Sequence, residues 1–219
     1  MGVPIVLDHV VLAGPGLAAA VDHVESLTGV RAAPGGAHPT GTANALIAFS
    51  RGGERVRQYL EVMGPDPASG RAASEVESFG ISGLEGPAVV SWAIRPDDLD
   101  AAVASARAAG AAIGGITPLS RRTPDGRELA WRLARPLDER HPPFLIDWAE
   151  MPHPALDSIP VLGLVALRRC TTDVAGETAR LRALGIATGE GADELEVVPA
   201  DVDGLEIEVE VGGRTVVLR

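Results

Sequence analysis

A strand-like run followed by a helix and a glycine occurs three times along the 219 residues. In the first copy, the apolar and β-branched run from Leu7 to Ala13 precedes a helix-patterned stretch from Leu17 to Leu27, which stops at Gly29. Apolar residues that recur every three or four positions predict an amphipathic helix. A glycine just after the last turn predicts a left-handed helix stop.

The three copies agree in length as well as in order. Ala88 to Ile94 begins the second copy and Val161 to Leu167 begins the third, while Gly110 and Gly185 end their helices as Gly29 ends the first. In each copy about 20 positions separate the middle of the strand from the glycine. The repeat therefore predicts three modules of one design.

Hairpin signals follow each copy. The turns are predicted at Arg51-Gly52-Gly53-Glu54, at Pro124-Asp125-Gly126 and at Gly212-Gly213, because proline presets φ and glycine accepts a positive φ. Phe144 to Trp148 adds a closing strand to the second module, and Ala72 to Phe79 predicts a short helix between the first two modules.

The charge and the cysteine content exclude several classes of function. The formal net charge is −11, all 19 basic residues are arginines, and only short basic runs occur, at Arg121-Arg122 and Arg168-Arg169. A nucleic-acid partner is not expected, because phosphate binding needs a basic face.

Cys170 is the single cysteine, so no disulfide within the chain and no thiolate metal cluster are expected. No signal peptide and no apolar run of about 18 residues is visible, which predicts a cytoplasmic protein without a membrane span.

Five short motifs stand out in and near the predicted strands. They are Leu7-Asp8-His9-Val10-Val11, Tyr59-Leu60-Glu61-Val62, His38-Pro39 with Gly41-Thr42-Ala43-Asn44-Ala45-Leu46, Ser91-Trp92-Ala93-Ile94, and Pro143-Phe144-Leu145-Ile146-Asp147-Trp148. The first two resemble the opening and closing strands of a module of the vicinal-oxygen-chelate superfamily, which contains glyoxalase I, extradiol dioxygenases, epimerases and fosfomycin or bleomycin resistance proteins. The other three resemble its glyoxalase-like subgroup.

The resemblance implies an α+β fold. Tandem βαββ(β) modules, about residues 5–64 and 87–150, are expected to form a curved, partly open mixed β-barrel with helices outside, within one glyoxalase-like domain of residues 5–150. A third, smaller βαββ-like module of residues 160–219 is expected to pack on this domain and to shield a sheet edge. The protein is expected to be a monomer or a homodimer.

In the superfamily, metal ligands come from the first and last strands of each module. The resemblance thus implies His9, Glu61 and Asp147 as ligands of one divalent ion, which would be Zn, Fe, Mn, Ni or Mg. The fourth ligand position carries Ser91, which is a poor ligand for such an ion. The same residues are equally consistent with a metal-free polar pocket, in which His9 and Glu61 act as a general acid–base pair.

Further side chains are candidates for substrate binding. Thr42 and Asn44 alternate onto one face of their strand, and aromatic residues are only 3% of the chain, so each is either core or pocket wall. The predicted substrate-binding set is His38, Thr42, Asn44, Trp92, Phe144 and Trp148. His141 and His153 lie in proline-rich loops and receive no predicted role.

Two functions remain open on these grounds. One is an enzyme that binds a small oxygenated metabolite in the barrel cavity, as a lyase, isomerase or dioxygenase, with or without a metal ion. The other is a non-catalytic protein that binds a small molecule, as drug-sequestering members of the superfamily do.

Overall fold

The computed structural model of the chain describes residues 2–4, 6–123, 125–137 and 143–219. Pro124 of the second predicted turn and His141 lie outside the described residues, as does most of the proline-rich connection around His141. The helices are α1 (Leu17–Thr28), α2 (Leu99–Ala108) and α3 (Val174–Ala183). The strands are β1 (Leu7–Ala13), β2 (Ala33–Ala37), β3 (Thr42–Arg51), β4 (Glu54–Pro65), β5 (Ala88–Ile94), β6 (Ile113–Arg122), β7 (Glu128–Pro136), β8 (Phe144–Asp147), β9 (Val161–Thr171), β10 (Glu196–Pro199), β11 (Gly204–Val211) and β12 (Arg214–Leu218).

Eight strands close into a barrel in the order β3-β2-β6-β7-β8-β5-β1-β4, with β4 pairing back onto β3. The two modules meet once where β1 and β5 run antiparallel. They meet again between β2 and β6, where Ala37 and Arg122 form the single paired position among the described residues. The predicted mixed barrel of tandem modules is confirmed, and this short seam is where it is least closed.

The helices cover the outside of the barrel. Ala20, Val21 and Val24 of α1 are buried against the sheet, as the three- and four-residue spacing predicts. Gly29 ends α1 with φ 73°, and its N–H donates to the carbonyl of Glu25. The predicted left-handed stop is therefore confirmed. No helix of the described part is long and apolar enough to cross a membrane.

Strand β2 was not predicted from the sequence. Its residues Ala33-Pro34-Gly35-Gly36-Ala37 lack apolar alternation and contain residue types that strands disfavour. The glycines permit a close approach at the seam, since a Cβ on Gly36 would lie 2.2 Å from the carbonyl oxygen of Arg122. The predicted single helix over Ala72 to Phe79 is wrong, because two short 3₁₀ turns occupy this connection at Ala73–Glu75 and Ser78–Gly83.

The third module extends the sheet at β3. Strand β9 pairs in parallel with Ala48 to Ser50 of β3, beyond the part of β3 that pairs with β2. Strand β9 also pairs with β10 and with β11. Inside this module the buried Arg169 donates to the buried Glu177 at 2.9 Å. The division of the chain into residues 5–150 and 160–219 stays a prediction.

Candidate functional site

The barrel surrounds a cavity lined by apolar and polar side chains, as small-molecule sites usually are. The inner faces of β1, β3, β4, β6, β7 and β8 form most of its wall. The cavity is lined by seven of the predicted site residues, which are His9, His38, Thr42, Asn44, Glu61, Phe144 and Trp148. The fold thus brings side chains of both modules together around this one cavity.

His9 projects into the cavity from β1 and is oriented by its neighbour Asp8. Nδ1 of His9 lies 2.7 Å from Oδ1 of Asp8, and the ring stacks on Tyr59 with 4.6 Å between centroids. Successive strand residues normally face opposite sides. However, the register of β1 on β5 shifts between Leu7 and His9, which leaves Asp8 as an extra residue in a bulge. The bulge lets Asp8 contact the imidazole of the next residue.

The carboxylate of Asp8 is buried and accepts hydrogen bonds from several side chains. Besides His9, the donors are His153 Nε2 at 3.0 Å, Arg95 Nη1 at 2.6 Å and the indole N–H of Trp148 at 3.3 Å. Burial acts to raise the pKa of Asp8, but the hydrogen bonds and charges of His153 and His9 together outweigh it and hold the pKa well below its usual range. Asp8 is therefore an ionised acceptor that receives a hydrogen bond from Nδ1–H of His9, so in the neutral tautomer with this proton Nε2 carries the lone pair.

Glu61 approaches His9 from the adjacent strand β4. Its Oε2 lies 3.6 Å from Nε2 of His9, and its Oε1 accepts a hydrogen bond from the Asn44 amide at 2.5 Å. Oδ1 of Asn44 is buried and has no hydrogen-bond partner among the described residues. An imidazole and a carboxylate, two groups that can take part in proton transfer, thus lie side by side at the cavity.

His38 adds a second imidazole to this side of the cavity. Its Nδ1 lies 2.9 Å from the Thr42 hydroxyl, and its Nε2 lies 4.0 Å from Oε1 of Glu61. Burial lowers the pKa of His38, Glu61 opposes this shift, and the charges of Arg121 and Arg135 add to it. His38 is therefore a neutral donor or acceptor near pH 7.

The second module presents apolar residues at the positions that correspond to His9 and Glu61. Strand β1 pairs in parallel with β4 beginning at His9, and β5 pairs in parallel with β8 beginning at Ala93. By this register Ala93 corresponds to His9, and Ile146 corresponds to Glu61. Ser91, the expected counterpart of His9, lies two residues away and is not among the residues that line the cavity.

Asp147 is not part of the cavity, which corrects its prediction as a metal ligand. It follows the inward-facing Ile146 in β8, and successive strand residues face opposite sides. Arg132 Nη2 donates to Asp147 at 2.6 Å and the Ala149 N–H donates at 2.7 Å. These hydrogen bonds lower the pKa of Asp147, so its carboxylate is already paired on the outer face of the sheet.

Trp92 also lies outside the cavity, which corrects its prediction as a substrate-binding residue. It is fully buried in the core that includes Val103 and Ala106 of α2. The alternation of β5 turns Ala93 toward the barrel interior and Trp92 toward the helices. Its indole N–H has no partner in the described part of the chain, so Trp92 acts there as an apolar residue.

The residues present do not fit the divalent metal site that the resemblance implies. Such a site takes ligands from both modules, and here the second module supplies Ala93 and Ile146, which cannot coordinate a metal ion. Within the described ranges, no three His, Cys, Asp or Glu side chains are placed to hold one. The predicted set of His9, Glu61 and Asp147 is not assembled.

Several residues of the site were missed by sequence reasoning. Asp8 gave a usable signal, since a carboxylate inside an apolar strand needs buried partners, and His153 is one of them. Tyr59, Arg121 and Arg135 line the cavity, but nothing in their local sequence distinguishes them from core or surface residues.

The fold is a barrel of paired βαβββ modules that surrounds a cavity lined from both modules. The family model described as glyoxalase-like domain matches residues 7–185. The chain belongs to this family. No curated protein matches the chain.

Three solved structures match the chain at low sequence identity. A hypothetical protein from Staphylococcus aureus is 12% identical, with a TM-score of 0.66, over 97% of this chain and 98% of that chain. A methylmalonyl-CoA epimerase in complex with methylmalonyl-CoA and NH₄⁺ is 22% identical, with a TM-score of 0.44, over 68% of this chain and 97% of that chain. A mutant 4-hydroxymandelate synthase from Streptomyces coelicolor is 15% identical, with a TM-score of 0.45, over 98% and 62%.

Proposed function

We propose that this chain binds a small oxygenated metabolite in the barrel cavity and moves a proton on it, as an isomerase or a lyase. The observation that supports this proposal best is the 3.6 Å approach of His9 Nε2 to Glu61 Oε2, with His9 held by Asp8. An imidazole base next to carboxylates that stabilise its protonated form suits removal of a proton next to a carbonyl group and its return to another atom.

Each side chain has a role in this reaction. His9 takes the proton through Nε2, and the imidazolium that forms lies between the carboxylates of Asp8 and Glu61, which stabilise its charge. The electrons of the broken C–H bond move to the carbonyl oxygen of the substrate. Burial raises the pKa of Tyr59 well above its ordinary value, so its phenol stays protonated and can donate to that oxygen. Return of the proton to another atom gives an isomer, and departure of a neighbouring group gives a lyase product.

Deuterium exchange tests this proposal. Protein treated with a chelator is incubated in D₂O with small 2-oxo acids, 2-hydroxyketones and 1,2-diketones, and the loss of C–H signals is followed by proton NMR. We expect exchange on at least one compound, and a loss of about 10²- to 10⁴-fold in His9→Gln and in Glu61→Gln. His23→Gln, on the outer helix α1, is the matched control. Equal exchange in wild type and His9→Gln would falsify the proposal.

The second candidate is a non-catalytic small-molecule binder. This role is favoured because His9 and Glu61 both come from the first module. The closing strand region of the second module contributes Phe144, Ile146 and Trp148 to the wall instead. A compound that raises the melting temperature, is recovered unchanged and shows no exchange would support this role. A dioxygenase needs a bound metal, which the donor set does not fit, and is not part of the proposal.

A further inference from the structure

Arg121 is a buried cation without a carboxylate partner. It lines the cavity from β6 and is 5% exposed. It donates a hydrogen bond to the carbonyl of Gly35, but no Asp or Glu of the described residues forms an ion pair with it. Arg169 provides the contrast, since this equally buried arginine is paired with Glu177 at 2.9 Å. An unpaired buried charge is costly, so Arg121 needs either water or an anion inside the cavity.

A second cation lies at the rim of the same cavity. The guanidinium of Arg135 lies 4.8 Å from the ring centroid of Phe79 and 5.3 Å from that of Phe144. No carboxylate among the described residues lies within ion-pair distance of it. Stacking on two aromatic rings holds the guanidinium in place and leaves its N–H groups free to bind a ligand.

The charge of the cavity is opposite to that of the molecule as a whole. Of the described residues, two arginines and one carboxylate, Glu61, line it, whereas the formal net charge of the chain is −11. Asp8 lies behind His9 and is matched by Arg95 at 2.6 Å. A local positive potential inside an acidic protein favours an anion at that site.

Arg121 also lies where the cavity meets the exterior. A groove outside the seam between β2 and β6 is lined by Ala37, Arg122 and Glu128 and shares His38 and Arg121 with the cavity. The seam itself holds one residue pair. A ligand that enters here meets Arg121 before it reaches His9 and Glu61, which are not among the residues of the outer groove.

We infer that the ligand of this cavity carries an oxyanion, either a carboxylate or a phosphate, that binds Arg121 at the seam end while its reactive carbon lies toward His9, and that the charge of Arg135 in the same cavity adds to the attraction. Arginine presents a planar set of donors that matches such oxygens in a bidentate manner. The inference rests on the proposal that the cavity is a ligand site, but it does not depend on proton transfer.

Binding of matched probes tests the inference. The probes are 2-oxobutyrate, the neutral 2,3-pentanedione of nearly the same shape, and inorganic phosphate, all at constant ionic strength. Binding is followed by the fluorescence of Trp131 and Trp148, which line the cavity, and by the melting temperature, which a ligand of the folded state raises. We expect 2-oxobutyrate or phosphate to bind at least about tenfold more tightly than the dione. A response to 2-oxobutyrate alone assigns a carboxylate, and a response to phosphate alone assigns a phosphate.

Variants separate anion binding from other roles of the arginines. Arg121→Met should weaken binding of the anion by roughly 10- to 100-fold, Arg135→Gln should weaken it less, and Arg57→Met, at an exposed position of β4, should not change it. Anion binding by wild-type protein that shows no deuterium exchange would separate a failure of the proton-transfer proposal from a failure of this inference. Equal affinity for the dione, or anion binding unchanged in both Arg121→Met and Arg135→Gln, overturns the inference. If Arg121→Met lowers the melting temperature while anion binding persists, the role of Arg121 is only structural, through its hydrogen bond from β6 to β2. If that variant does not fold, the result for Arg135→Gln decides.

Discussion

The two halves of the barrel repeat one backbone but differ in chemistry. In the first half, β1 and β4 place His9 and Glu61 side by side at the cavity. In the second half, β5 and β8 pair in the same parallel manner and place Ala93 and Ile146 at the corresponding positions. Parallel pairing of the first and last strands of a module therefore sets where functional side chains can lie, and the residue types decide whether these strands carry reactive groups, as in the first half, or apolar side chains, as in the second.

The halves also differ in how their strand aspartates are used. Asp8 of the first half sits in a bulge and is buried among donors, whereas Asp147 of the second half pairs with the half-exposed Arg132. Buried and exposed ion pairs differ in strength because solvent screens the exposed pair. The following predictions use these differences.

Asp8→Asn should be the most destabilising of the predicted changes. The substitution leaves Arg95, His9 and His153 around a neutral amide that cannot balance the charge of Arg95 or accept all of their hydrogen bonds, so we expect a loss of about 3–5 kcal/mol in the free energy of unfolding. Urea denaturation monitored by circular dichroism measures it. Asp147→Asn is the matched control and should cost less than about 1 kcal/mol. Similar costs for the two variants would contradict the contrast between the halves.

Ile146→Glu should make the second half resemble the first. A carboxylate at the position that corresponds to Glu61 should cost about 3 kcal/mol, because it enters a buried site without a prepared partner. We expect added Zn²⁺ or Ni²⁺ to restore the melting temperature of this variant and to leave wild type and the uncharged control Ile146→Gln unchanged. Stoichiometric binding of either ion by wild type would refute the conclusion that its donor set does not fit a metal.

Stability should decrease as the pH falls below about 6.5. The pKa values of His38 and His153 are lowered in the folded protein, in both cases mainly by burial. The unfolded chain therefore takes up protons first, and each histidine contributes a slope of up to about 1.4 kcal/mol per pH unit until its folded pKa is passed. Below about pH 4 the lowered pKa of Asp8 adds a further loss with the same sign. Urea midpoints between pH 7.5 and 5 measure the effect, and an unchanged slope in His38→Gln would show that this residue does not contribute.

Trp92→Phe should have the smallest effect. Its indole N–H has no partner among the described residues, so only packing contacts are lost, and we expect about 1 kcal/mol of destabilisation with no change in ligand affinity. Trp148→Phe is the comparison, since Trp148 lines the cavity and donates to Asp8. Fluorescence titration with 2-oxobutyrate measures both variants. A loss of affinity for 2-oxobutyrate in Trp92→Phe would show that Trp92 does contribute to ligand binding.

Much of the fold could be predicted from the chain because its signals are local. The strand, the helix and the stop glycine of each module follow from apolar spacing and backbone preference, and Gly29 has the expected positive φ. Strand β2 could not be predicted, since Pro34 and Gly36 oppose a strand and only its neighbours β3 and β6 hold it there. For the site, the motifs led to His9 and Glu61, whereas Asp147 was misplaced because a shift of one residue in β8 reverses the side chain's direction.

The sequence by itself determined the modular design, the acidic surface and the candidate pair of His9 and Glu61. The tertiary structure alone decided which side chains share the cavity, because that depends on strand register, on the bulge at Asp8 and on the closure of β3 onto β4. Register and closure come from pairings between residues far apart in the chain, and no local pattern encodes them. For the same reason Arg121, one of two adjacent arginines in the sequence, becomes a buried cation beside the acid–base pair only when the barrel has formed.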